Sequence, residues 1–103
     1  MILNRWSCEI RYGYYREVFD SLQEVNDLCK QRGLKPMRFW LPIAGPDNRI
    51  VGEIEYADLA EYDREQEAFL QDADIMKAVR KGSEYVVQGT SHTEVLMSAT
   101  QIA

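Results

Sequence analysis

His92 is the one side chain here whose ordinary pKa lies near neutrality, which makes it the natural candidate for a general acid or base. Its neighbours Ser91, Thr93 and Glu94 offer hydrogen bonds that would set its tautomer. A second set is aromatic. Trp6, Tyr12, Phe39 and Tyr56 fall on the apolar parity of alternating stretches. Such a set lines a pocket for a flat ligand, with tyrosine hydroxyls fixing its orientation, or it is simply core. A third set is charged: Arg5, Glu9, Arg11, Arg38, Glu53 and Glu55 take the opposite parity, joined by Trp40. The first reading of that face is an ion-pair network along a seam between two subunits. The second is a polar cavity for an acidic or carbonyl-bearing ligand.

Other chemistries find little support. One histidine without carboxylates at ligand spacing does not make a metal site, so neither metal nor cofactor is expected. There is no phosphate-cradling glycine loop, dinucleotide fingerprint or nucleophile elbow. Ser7, Ser21, Ser83, Ser91 and Ser98 have no base at readable spacing, and Cys8 has no basic activator nearby. Cys8 and Cys29 form no C-x-x-C pair and read as two buried free thiols, a disulfide being the alternative.

The elements that must position these residues follow from periodicity. Leu3–Tyr12 alternates, with Trp6, Cys8, Ile10 and Tyr12 on one face and Arg5, Ser7, Glu9 and Arg11 on the other. Gly13 breaks the pattern, and Val18, Leu22, Val25 and Cys29 then recur at helical spacing up to Gly33. Leu34–Ile43 is a second strand, placed at a sheet edge by Pro42. After the turn Ala44–Asn48, Arg49–Tyr56 is a third strand with Ile50, Gly52, Ile54 and Tyr56 on one face. Asp58 with Glu61 three residues on has capping-box spacing, so a helix starts at Leu59. Its apolar stripe is Tyr62, Phe69 and Leu70, and it breaks or restarts at Asp72–Asp74 before ending at Gly82. Thr90–Met97 returns to strand chemistry.

This order of strands and helices predicts an α+β ferredoxin-like βαββαβ sandwich, a single domain over residues 1–103. Helices cover one face of such a sheet. Trp40, Val51, Val95 and Met97, read as lying on the other, predict a face-to-face homodimer. A net charge of −5 argues against nucleic acid and against anionic membranes as partners. No stretch reaches membrane-spanning length and no basic leader opens the chain, so a cytoplasmic protein is expected.

Several stretches together resemble one family. Phe39-Trp40 leads into a Gly-Pro turn, Val51-Gly52-Glu53-Ile54-Glu55-Tyr56 follows, and then come Asp58-Leu59-Ala60-Glu61-Tyr62 and the Asp-centred break at Asp72–Asp74. This pattern is similar to that of the NIPSNAP family, within the dimeric α/β-barrel superfamily. The resemblance implies a homodimer whose two sheets form a barrel, with ligand clefts between sheet and helices. Two departures stand out. Tyr12-Gly13-Tyr14-Tyr15 replaces the Pro-Gly-Lys type of turn common in that family, and the Asn/Trp/His grouping of haem-degrading relatives is absent. The function expected from these readings is small-molecule binding by a homodimer. The alternatives are an enzyme like the cofactor-independent monooxygenases, with His92 as base and Trp6, Tyr12 and Tyr56 holding an aromatic or quinone-type substrate, and a non-catalytic structural or regulatory dimer.

Overall fold

A computed structural model describes residues 1–101. Among them the order is β1 (Ile2–Glu9), α1 (Tyr15–Gln31), β2 (Arg38–Trp40), β3 (Arg49–Tyr56), α2 (Leu59–Gln71), α3 (Ala73–Gly82) and β4 (His92–Met97). The strands form one antiparallel sheet in the order β2-β3-β1-β4, the ferredoxin-like arrangement expected of the sequence. β2 is an edge strand, the position expected from Pro42 just beyond it.

Alternation assigns the faces. Asn4, Trp6 and Cys8 of β1 share a side with Ile50, Gly52, Ile54 and Tyr56 of β3, because these residues are register partners or lie two apart along a strand. The helices pack on this side. Cys8, Ile10 and Ile50 are fully buried against Val18 of α1, with Phe19, Leu22 and Phe39 around them. α3 joins through Ile75 and Ala78, both buried. Leu3, Arg5, Ser7, Val51 and Glu53 point the other way.

Three expectations need correction. β1 ends at Glu9 and not at Tyr12: Ile10 makes an isolated bridge to Val86, and the chain then turns through Gly13 at φ 91°. β2 is three residues long, since Pro36 and Pro42 flank it and Pro has no N–H to give a ladder. Val95 and Met97 pair in register with Asn4 and Ile2, so they lie on the helix side of the sheet, and the outer face of β4 carries His92, Glu94 and Leu96. All six β4 residues are exposed, because the helices do not reach over that edge.

Helix ends follow their caps. Asp58 accepts the Glu61 N–H at 2.9 Å and Asp72 accepts the Ile75 N–H at 3.0 Å, so the expected break is a cap-mediated restart of α3 immediately after α2. Arg32 of the α1 C-terminus clamps that junction through Asp72 and Asp74. α2 has no fully buried residue.

Candidate functional site

α2 lacks buried residues because a cavity of about 380 Å³ lies beneath it, between the sheet and the helices. The sheet contributes Asn4, Trp6, Phe39 and Tyr56, α1 contributes Leu22 and Val25, and α2 contributes Tyr62 and Phe69. Its volume is at the small end of ligand sites, which run from about 300 to 1,000 Å³. The walls are mostly hydrocarbon and aromatic ring.

The polar groups at this cavity divide into spent and unspent. Asn26 spends its amide oxygen and one N–H on the backbone of Met37, donating to the carbonyl at 2.9 Å and accepting the N–H at 3.0 Å. The Trp6 indole N–H donates to Ser91 Oγ at 2.9 Å. One Glu65 carboxylate oxygen accepts the Lys35 N–H at 2.8 Å, while the Lys35 ammonium pairs with Glu61 and donates to the Glu55 carbonyl. That ammonium also lies 5.4 Å from the centre of the Tyr56 ring. Asn4 differs. It is 8% exposed, and its Oδ1 is buried without a hydrogen-bond partner.

Titration behaviour matches an apolar site. Burial, and then the charge of Glu65, push the Tyr56 hydroxyl up to about 12, so it stays a neutral donor. Its ring meets Tyr62 edge-on at 5.5 Å. Burial raises the Cys29 thiol with help from Asp72 and Glu65, and it pushes Cys8 on β1 up to about 11. Both thiols are free and buried, hence poor nucleophiles. Among the described residues no three or more His, Cys, Asp and Glu side chains come together as a metal site.

The residues singled out from the sequence separate cleanly. Trp6, Phe39 and Tyr56 line the cavity together. Tyr12 does not: it lies past the end of β1, 68% exposed, and its hydroxyl donates to Asp47 Oδ1 at 2.7 Å. It ties the β1–α1 turn to the β2–β3 loop. His92 is in register with Ser7, hence on the outer sheet face, where Nε2 sits 3.4 Å from Glu94 Oε1. It cannot reach a molecule in the cavity, so the expected base is not at this site.

On the outer face, Arg5 pairs with Glu53 at 2.9 Å and Arg38 with Glu55 at 3.4 Å. Glu9 is in register with Arg49, and Trp40 with Val51. Arg11 leaves this group. It follows the end of β1 and donates to the Glu84 carbonyl at 3.0 Å, its guanidinium 5.1 Å from the Tyr14 ring. Asn4 is not among the residues expected at a site, although it shares the parity of Trp6 and Cys8; a polar residue on an apolar strand face is the signal that marks it.

Comparison with known proteins adds to this geometry. A NIPSNAP family protein from Agrobacterium tumefaciens superposes with a TM-score of 0.77 at 16% identity, covering 95% of this chain and 92% of that one. An uncharacterised NIPSNAP domain protein from Burkholderia xenovorans does so with 0.77 at 18%, covering 96% and 95%. An antibiotic biosynthesis monooxygenase has a TM-score of 0.72 at 12% identity, covering 96% and 99%. At such low identity the superpositions show a common fold. No curated protein matches the chain by sequence. The sequence model of one family, described as NIPSNAP, matches residues 16–101, and a match over so much of the chain settles its membership: this protein belongs to the NIPSNAP family.

Proposed function

We propose that this protein binds a small, flat, largely apolar molecule carrying one hydrogen-bond donor, in the cavity between sheet and helices, and that it works as a homodimer. The observation that carries the reading is Asn4: a buried, unpartnered oxygen on the wall of an otherwise apolar cavity flanked by Trp6, Phe39 and Tyr56. A buried polar group without a partner is costly, and a ligand donor would offset that cost. Aromatic walls favour a planar ring system by stacking and edge contacts. The dimer is supported by an uncovered sheet face that carries Trp40, 53% exposed, and the exposed His92, Glu94 and Leu96 of β4. Two free thiols suit a reducing compartment such as the cytoplasm, and among the described residues no helix is long and apolar enough to cross a membrane.

The test is a matched pair of probes, 2-naphthol and naphthalene, followed by quenching of Trp6 fluorescence in a Trp40→Phe background. The expected result is saturable binding of both, tighter for the naphthol, with Asn4→Leu removing that preference of about tenfold. If neither probe quenches Trp6, the binding reading falls. The enzyme alternative has only the shared fold in its favour, since His92 is on the opposite face and Glu65 already accepts a backbone N–H. The purely structural alternative predicts no probe binding at all.

A further inference from the structure

The outer face of the sheet carries a charge pattern that spans all its strands. Arg38 of β2 is in register with Glu53 of β3, Glu53 with Arg5 of β1, and Arg5 with Glu94 of β4. One row thus reads plus, minus, plus, minus from edge to edge. The next row holds Trp40, Val51, Ser7 and His92. On the far side of the charged row lie Glu55, Leu3 and Leu96.

An alternating row of even length is complementary to its own reverse. If a second copy packs face to face about a twofold axis parallel to the strands, β2 of one copy lies over β4 of the other, and β3 over β1. Every charge of the row then meets its opposite: Arg38 faces the partner's Glu94, and Glu53 faces the partner's Arg5. A twofold axis across the strands, lying on this row, would instead set each charge against itself, and like charges in a desolvated interface are costly. We infer that this row selects the strand-parallel dimer and sets its register, an inference that rests on the homodimer proposed above.

Three further features agree with that axis. β2 and β4 are the two edge strands, and each leaves much of its outer face bare: the Arg38 side chain is 62% exposed, Trp40 is 53% exposed, and all of β4 is exposed. Stacking one over the other covers both. The same rotation brings Trp40 against the partner's His92, and Val51 against the partner's Ser7, so the uncharged row also meets itself without a clash of like charge. Within one chain the row is unevenly satisfied. Arg5 has Glu53 at 2.9 Å, whereas Arg38 reaches only Glu55 at 3.4 Å and Glu94 has His92 at 3.4 Å. The two outermost charges are therefore the ones with most to gain from a partner.

Charge reversal tests the register directly. Arg38→Glu sets two acidic pairs across the interface, and Glu94→Arg sets two basic pairs. Each variant alone should weaken self-association by about tenfold or more, read by sedimentation at equilibrium. An equimolar mixture should recover dimer at near wild-type strength, because in the mixed dimer both pairs are again opposite in sign. Unchanged helix content by circular dichroism confirms that the variants fold. Two weak variants whose mixture stays dissociated overturn the strand-parallel register, as do variants that dimerise normally, while leaving the homodimer intact. A wild-type protein that sediments as a monomer overturns the homodimer and this inference together.

Discussion

Asn4 occupies a place on β1 where its neighbours on the same face, Ile2 and Cys8, are apolar and buried. Leaving a buried acceptor unpaired costs about 1–3 kcal/mol, so Asn4→Leu, nearly the same in shape, should stabilise the empty protein by about 1 kcal/mol in urea denaturation. A loss of stability would mean that the oxygen is already satisfied, and the argument for a ligand donor would go with it. The strand pattern made this position legible in principle, since parity assigns Asn4 to the helix side. What parity cannot convey is whether that side is filled or hollow. Tyr56 and Cys8 bear on stability at high pH. Both groups hold their protons longer in the folded state, to about 12 and about 11 against ordinary values of 10.0 and 9.0. The stability they contribute is complete below the ordinary value and is lost as pH rises through the folded one. Stability should therefore fall between roughly pH 9 and 12 as each group passes from its ordinary to its raised value. The upper part of that fall should shrink in Tyr56→Phe, as measured by urea midpoints across the range.

Element by element, local chemistry was a good guide to boundaries wherever a cap or a proline acts. Asp58 and Asp72 announce the starts of α2 and α3 because an aspartate oxygen satisfies an N–H that the helix leaves open. Alternation continues through Arg11 and Tyr12, past the end of β1 at Glu9, although Arg11 donates its N–H to the Tyr85 carbonyl and accepts the Tyr14 N–H in the turn before α1. The apolar stripe expected of α2 includes Leu70, which is 57% exposed, while Glu65 and Gln66 line the cavity. The face a helix buries depends on what lies beneath it, and a cavity wall tolerates polar edges that a packed core would not. The α1–α3 contact offers a sharp test. A Cβ on Gly82 would collide with the Ser21 hydroxyl and lie 3.0 Å from Ser21 Cβ. Helix propensity alone makes Gly82→Ala stabilising by about 1 kcal/mol, whereas overpacking costs about 1–3 kcal/mol, so the net change should be destabilising by about 1 kcal/mol. In a Ser21→Gly background the collision disappears and the same substitution should stabilise. A double-mutant cycle without that reversal of sign would show that the helices separate freely at this contact.

Taken whole, the molecule is a slab, 44 × 34 × 20 Å, whose short dimension is that of two layers. Its radius of gyration of 14.2 Å exceeds the value of about 13 Å typical for a compact domain of this length. Residues such as Trp40, Leu41 and Ile43 are left in water at one edge although the chain is 46% hydrophobic. The sequence composition showed that excess but not its location, because edge exposure is set by how far three helices extend across four strands. A second copy on the outer face would turn two layers into four and bury the sheet on both sides. Folding would then be coupled to association, and dimer stability must rise with protein concentration. Raising the concentration by about a hundredfold contributes about 2.7 kcal/mol, which for a folding unit of some two hundred residues shifts the melting midpoint upward by several degrees. The Arg38→Glu variant, with its partner pairs reversed, should melt at a lower midpoint that shifts upward only at higher concentrations. Its equimolar mixture with Glu94→Arg should regain the wild-type midpoint at each concentration. A midpoint independent of concentration in the wild type would mean that the outer face stays open in solution, with its ion pairs stabilising only the sheet that carries them.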